Sequence, residues 1–287
     1  MIALISLGHG GQQGGEHGNN PKIEATRQAL DAFELGRFLK ANLGLNGFWT
    51  SYILLHPDKG RVSGLSSDGS PMTELESWLL NQCPIIPATQ ERFRILRNLT
   101  QPLLRSGMKL ASIPSGVMDD LLTLDYGKFQ GVTVTAVDLD SESLAYAKEN
   151  YSRRGASVNF ESEQRDAWNL ESRERWNLVT SNGLNIYVES NQRCVDLYRS
   201  IATSLRPGDH FILSFITPVE TWRVKDASAL EQQRFIFRDV LPVKWQCLRS
   251  EELTRTQLAE AGFEVLRVEY DSQRMFPAVV ARKRVAE

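Results

Sequence analysis

Residues Lys109–Asp140 read KLASIPSGVMDDLLTLDYGKFQGVTVTAVDLD: an apolar strand, a small-residue turn containing Gly116, a helix, and a second apolar strand that ends on an acid. Strand, glycine turn, helix, strand and an acid about 20 residues later is the order that binds an adenosine ribose at the carboxyl edge of a parallel sheet. Gly116 lets the backbone approach a ligand because it carries no Cβ. Asp138 stands where a carboxylate accepts both ribose hydroxyls, with Leu139 beside it as a further contact. Only one glycine is present, so the turn is not the dinucleotide fingerprint. The weight of the reading therefore falls on the residues beyond Asp140.

Downstream the same alternation continues. Apolar runs predict strands at 109–113, 132–137, 157–161, 176–181, 209–216, 263–270 and 276–282. Helical spacing predicts helices at about 117–124, 141–151, 191–205 and 251–261, and another between 226 and 240. Strands alternating with helices specify a parallel sheet covered on both faces. The last two strands are joined only by Asp271–Arg274. They must pair antiparallel, since a parallel crossover needs about a dozen residues or more. The expected class is α/β: a Rossmann-like, seven-stranded, mostly parallel sheet with an antiparallel final strand, preceded by an N-terminal helical extension.

Upstream the chain is different. Residues 8–20, GHGGQQGGEHGNN, are too glycine-rich and polar to bury anything, so 1–22 is expected to be a flexible arm. His9 and His17 lie in it, either as a metal-binding pair or as part of a disordered arm; no metal is assigned. A helical cap is expected at 23–107. Its first helix runs from Ile23 to about Leu43 on Leu30, Phe33, Phe38 and Leu39. A second begins at the capping box Thr73-x-x-Glu76, and a third carries Phe93, Leu96, Leu99 and Leu103 between Thr89 and Leu104. Asp58–Ser70, rich in Gly and Ser, reads as a loop. The sheet-bearing domain is expected at 108–287.

Composition excludes several classes. The 287 residues are 41% apolar and 24% charged, with net charge −2 and a pI near 6.2, as in an ordinary soluble globular protein. No electrostatic footprint for nucleic acid or an anionic membrane is visible. The opening MIALISL is too short for a signal peptide and lacks a basic lead, and no run reaches membrane-spanning length. Cys83, Cys194 and Cys247 form no C-x-x-C pair, which fits free thiols in a reducing cytoplasm. The expected partner is a small molecule, with neither nucleic acid nor membrane.

These elements resemble the class I S-adenosylmethionine-dependent methyltransferase fold from about Phe93 to Lys283. VTAVDLDSESLAYAKENY resembles its second strand and following helix, and Asp166-Ala167-Trp168 the acidic position that faces the adenine amino group. WNLVTSNGLNIY resembles strand four and its loop, and SIATSLRPGDHFILSF the helix, Pro-Gly turn and fifth strand. The resemblance implies S-adenosylmethionine as the bound reactant, contacted by Ser115, Gly116, Asp138, Leu139, Asp166, Ala167, Trp168, Ser181 and Asn182. Ser115 and Gly116 would contact its methionine part through backbone N–H groups. Two departures matter. Ser112, Ile113, Pro114, Ser115 and Gly116 stand where the family runs acid, apolar, Gly, any, Gly, so the acid and first glycine are gone. The loop Ser181–Tyr187 also lacks the Pro-Pro pair with which base-amino methyltransferases hold a flipped base.

Within the fold, IPSGVMDDLL, SNGLNIY, SFITP and the long N-terminus resemble azetidine-2-carboxylate synthases of peptide natural-product biosynthesis. In these the amine of S-adenosylmethionine attacks its own γ-carbon, a cyclisation that releases methylthioadenosine. That activity is the leading expectation, with a small-molecule methyltransferase as the alternative; binding without turnover is a third reading. Cyclisation needs a neutral amine, and a nearby carboxylate would keep it charged, so Ser112 in place of the acid suits a cyclase. The catalytic candidates are Tyr187, Asn182, Ser214 and Asn150. Tyr187 either presents a ring to the sulfonium or packs as a wall. Ser214 points either to the crevice or into the sheet. Asn150 is otherwise a helix-end cap, Asn182-Gly183 a turn, and Asn185 a turn cap. Asp119 and Asp120 compensate the dipole of the helix they start. The N-terminal helices either close over a single substrate or bind an acceptor.

Overall fold

The computed structural model describes residues 20–243 and 247–285, so His9, His17 and nearly all of the expected arm lie outside the described residues. The helices before the sheet are α1 (Pro21–Asp31), α2 (Glu34–Asn42), α3 (Gly47–Leu55), α4 (Gly60–Ser63), α5 (Glu74–Asn81) and α6 (Ile85–Thr100). Asn20 caps α1 by accepting from the Lys22 N–H at 3.0 Å, with Pro21 in the first turn where its missing N–H costs nothing.

The single helix expected from Ile23 to Leu43 is two. Phe33 adopts an extended backbone, φ −142° and ψ 154°, and its fully buried ring anchors the break. A side chain at Gly36 would come within 2.1 Å of the Leu30 carbonyl, so glycine allows the chain to fold back there. Helix α3 was not anticipated because GFWTSYILL is apolar nearly all round and shows no stripe. Part of the expected loop at Asp58–Ser70 is the short α4. The capping box is half realised. Thr73 accepts from the Glu76 N–H at 3.1 Å, but the Glu76 carboxylate turns inward to accept from Tyr52 and Ser66, both at 2.9 Å.

The remaining elements are β1 (Lys109–Ser112), α7 (Asp119–Leu122), β2 (Thr133–Asp138), α8 (Ser141–Arg154), β3 (Asn159–Gln164), β4 (Trp176–Ser181), α9 (Asn191–Ser204), β5 (Leu205–Ser214), α10 (Ala227–Arg234), α11 (Glu251–Glu260), β6 (Phe263–Glu269) and β7 (Ala278–Lys283). The sheet order is β3-β2-β1-β4-β5-β7-β6. Strand β7 runs antiparallel to both β5 and β6, and every other pairing is parallel. This is the sheet that the alternation and the short last connection required.

Alternate residues of the strands enter two apolar clusters. Ala111, Val137, Val179 and Phe211 join Trp176, Tyr198 and Phe263 on one face. Leu110, Ala136, Leu178 and Ile212 join Ile95, Leu96 and Leu99 of α6 on the other. Burial of both faces explains why these strands read as continuous apolar runs. The chain divides into two compact units: residues up to Pro87 with Asp226–Lys244, and Ala88–Lys225 with the C-terminal part. In the first, Gln233 of α10 accepts from the Ile85 N–H at 2.8 Å. The second holds the sheet and every candidate site residue.

Candidate functional site

Strand register aligns the polar residues at one edge of the sheet. Ala136 of β2 pairs with Ser112 of β1, Ser112 with Thr180 of β4, and Thr180 with Ile212 of β5. Side chains alternate between faces, so residues two positions further on share that face. Extending the register brings Asp138, Asn182 and Ser214 into one rank along the carboxyl edge. With strands about 4.8 Å apart, Asp138 and Asn182 stand about 10 Å from each other.

Asp138 is held by the turn it faces. Its Oδ2 accepts from the Gly116 N–H and its Oδ1 from the Asp140 N–H, both at 3.0 Å. Burial pushes its carboxyl up, and the Gly116 bond pulls it back. Each oxygen keeps a lone pair for a ligand hydroxyl. Gly116 has φ 48°, a left-handed conformation that glycine adopts without cost. The expected role of Ser115 and Gly116 toward a methionine moiety is corrected here. The Ser115 N–H is spent on the Val137 carbonyl at 2.9 Å and the Gly116 N–H on Asp138. Leu139 is 55% exposed beside Asp138. Asp166 is exposed at the end of β3, and its Oδ1 accepts from the Trp168 N–H at 3.0 Å. Ala167 is buried, and the Trp168 indole donates to the Arg193 carbonyl at 2.8 Å.

The loop after β4 turns on Gly183, whose φ of 99° is open only to glycine, and then makes a single 3-10 turn, Leu184–Tyr187. Arg249 clamps it from behind, donating to the carbonyls of Asn185 at 2.7 Å and of Val188. Asn185 does not face the edge: it is buried and its amide donates to the Tyr198 hydroxyl at 3.0 Å. Ser181 is buried. Asn182 and Ser214 each present an atom, Oδ1 and Oγ, that is buried without a hydrogen-bond partner. Tyr187 is 51% exposed, yet the protein atoms around its hydroxyl push the phenol up, against the pull of Arg92. Asn150 is not a helix-end cap. It is buried within α8, donates to the Val117 carbonyl at 2.9 Å and to Asp119 at 3.1 Å, and accepts from Arg153 and Arg154. Its amide is fully used in tying α8 to the turn after β1.

Two features of this edge escaped the sequence reading: the partners of the acid pair Asp119–Asp120, and Arg92. Asp119 and Asp120 stand in the first turn of α7 as expected, but both are buried and each has a further partner. Asp119 pairs with Arg154 at 2.8 Å. Asp120 accepts from Ser112 at 2.9 Å and from Thr180 at 2.5 Å. The acid missing from β1 is therefore supplied from α7, against the same Ser112 that replaced it. Burial raises its carboxyl, and the two hydroxyls pull it down. Arg92 of α6 is the other. It is 6% exposed, stacks on Phe276 at 4.7 Å, and has its Nη1 3.4 Å from where a Gly183 side chain would begin. A doubled acid and an arginine inside an apolar helical face carried no local signal that could have set them apart.

A methyltransferase-domain family model matches residues 121–208. A possible exported protein from Bordetella parapertussis is 35% identical, with a TM-score of 0.83 over 93% of this chain and 91% of that one. A magnesium protoporphyrin IX methyltransferase from Synechocystis PCC 6803, with bound SAH, is 13% identical with a TM-score of 0.52, covering 82% of this chain and 99% of that one. A SAM-dependent methyltransferase from Methanosarcina mazei is 15% identical with a TM-score of 0.50, covering 66% and 98%. No curated protein matches. The fold is that of the class I S-adenosylmethionine-dependent methyltransferases, and S-adenosylmethionine is the ligand of that fold. Within it, the chain belongs to the same family as the Bordetella protein. No helix among the described residues is long and apolar enough to cross a membrane.

The edge fits that ligand. Asp138, an acid with spare lone pairs, stands at one end of the rank, and the unpartnered Asn182 Oδ1 and Ser214 Oγ lie further along it. Unpartnered buried polar atoms occur elsewhere among the described residues too, but these two share one strand edge, where a polar ligand would satisfy both.

Proposed function

We propose that this protein is an S-adenosylmethionine-dependent methyltransferase acting on a small molecule. The observation that carries the reading is the rank Asp138, Asn182, Ser214, with its two unpartnered atoms at the end away from the ribose acid. When bound, S-adenosylmethionine supplies a methyl group activated by a sulfonium. Asp138 binds the ribose hydroxyls, and Asp166 accepts from the adenine amino group. Asn182 orients the amino-acid end through Oδ1, and the half-exposed ring of Tyr187 offers a π-face to positive charge. Asp120 weakens the case for cyclisation, because a carboxylate stands against Ser112 after all.

Cyclisation to azetidine-2-carboxylate is the second reading. The loop favours it: Ser181, Asn182 and Tyr187 are neutral, and none of Ser181–Tyr187 is a histidine or an acid that would take an acceptor's proton. In that case the protein would serve natural-product biosynthesis. Incubation with S-adenosylmethionine, alone and with a panel of small amines, alcohols and acids, separates the two when products are resolved by mass. Methyl transfer gives S-adenosylhomocysteine only with an acceptor. Equal amounts of methylthioadenosine and azetidine-2-carboxylate from S-adenosylmethionine alone would replace it with the second reading. We place the protein in the cytoplasm on its three free cysteines, and cell fractionation tests this against the export named for the Bordetella relative.

A further inference from the structure

Two arginines are buried beside the loop after β4, and they are used differently. Arg249 is 2% exposed and gives its guanidinium to the carbonyls of Asn185, Cys247 and Val188. Arg92, 6% exposed, makes no hydrogen bond or ion pair among the described residues, and its Nε is buried without a partner. The groups nearest in charge are Tyr187 and Asp271. Asp271 is committed elsewhere: its oxygens accept from the Gln273 N–H at 2.9 Å and the Phe276 N–H at 2.6 Å. Burial lowers the Arg92 guanidinium to about 10, so it remains a cation at neutral pH. Buried charges are ordinarily paired, and breaking such a pair is strongly destabilising. An unpaired guanidinium held over Phe276 and against Gly183 is a prepared seat for an anion.

Its place in the fold says which anion. Gly183 follows β4 directly, and Phe276 lies just before Ala278, the β7 partner of Ser214. Arg92 therefore flanks the Asn182–Ser214 end of the rank, two to three strand spacings, or roughly 10–15 Å, from Asp138. That is a span which the ribose, sulfur and aminobutyrate chain of S-adenosylmethionine bridges. A planar fork that pairs with both oxygens of a carboxylate suits its far end. Asn182 Oδ1, an acceptor without a donor, stands ready for the neighbouring ammonium. We propose that Arg92 is the carboxylate-binding residue of the site and holds the α-carboxylate of the S-adenosylmethionine amino-acid end. The assignment rests on the reading of the site as an S-adenosylmethionine site and adds the group that fixes the amino-acid end.

The test is calorimetric and needs no turnover. S-adenosylhomocysteine and methylthioadenosine share the adenosine and sulfur, but only the first carries a carboxylate. Arg92→Met should weaken S-adenosylhomocysteine about ten- to a hundredfold and leave methylthioadenosine within about twofold of wild type. Arg92→Lys, which keeps the charge without the fork, should fall between. Unchanged methylthioadenosine binding also certifies that each variant is folded. Wild-type affinity of Arg92→Met for S-adenosylhomocysteine, with methylthioadenosine binding intact, overturns the role of Arg92 alone. Equal weakening of both ligands makes Arg92 a structural residue and also overturns it. Failure of the wild type to bind either ligand removes the site reading, and this proposal with it.

Discussion

The two edges of the sheet carry similar residues and treat them oppositely. At the amino edge, Asp209 accepts from Asn177 at 2.8 Å and from Arg105 at 3.4 Å. Asn177 in turn accepts from the Lys109 N–H at 3.0 Å, and Lys283 caps the Leu205 carbonyl at 2.7 Å. His210 Nδ1 and Ser172 Oγ, ahead of β4, are exceptions among the described residues, and burial lowers the His210 imidazole so that it stays neutral. At the carboxyl edge, Asn182, Ser214 and Arg92 each keep a buried atom unspent. An asparagine is structural at one edge and available at the other because of its partners. Satisfaction of polar groups, more than residue type, is what separates the two edges.

The largest effect that could break this contrast lies at Asp138. Asp138→Ala removes the carboxylate proposed to bind the ribose and should weaken S-adenosylmethionine about ten- to a hundredfold by calorimetry. An unchanged affinity would mean that the carboxyl edge is not the ligand site.

Asp120 sharpens the contrast, as a carboxylate at the working edge that is nonetheless fully bonded. Its folded pKa is raised, chiefly by burial. The stability contributed by its neutral form is complete below the unfolded value, near 4, and is lost as pH rises through the higher folded value. Asp120→Asn is neutral throughout, and the Ser112 and Thr180 hydroxyls can accept as well as donate. Its melting temperature should therefore fall less than that of wild type as pH rises from 4 to 7. Parallel profiles for the two proteins would show that Asp120 titrates normally.

The smallest effect belongs to the amino edge. Asp209→Ala breaks a pair whose arginine is 66% exposed and leaves Asn177 short of one bond. It should cost about 1 kcal/mol in urea unfolding. S-adenosylmethionine affinity should stay at the wild-type value, and a tenfold loss would erase the distinction between the edges.

The sheet was legible because its information is local. Period, turn residues and connection length are all written within a few positions, and the short, β-branched-rich runs TVTAVD and WNLVTS read as strands buried on both faces. Boundaries slipped where the signal did. Strand β5 was expected from 209 and begins at Leu205, since its opening Leu-Arg-Pro-Gly reads as a turn. The break at Phe33 hid inside a continuous apolar spacing. Asp138 was legible as a strand-end acid facing the glycine turn, which is where the folded chain places it, and the rest of the candidate site was legible only in part. Asp120 meets Thr180 across 60 residues of sequence, and Arg92 reaches Gly183 from a helix that reads as plain amphipathic packing. Neither contact has a spacing rule, so only the folded chain reveals them.

The last strand has a consequence for the order of synthesis. Strand β7 is inserted between β5 and β6, and its first four residues are buried. Without β7, β5 lacks its outer neighbour and β6 has no strand partner, so both expose unpaired backbone groups. Such edges are templates for pairing with other chains. A ribosome stalled before Ala278 would thus release a nearly complete sheet in its most adhesive form. Insertion of β7 pairs both of those edges at once and so removes the template.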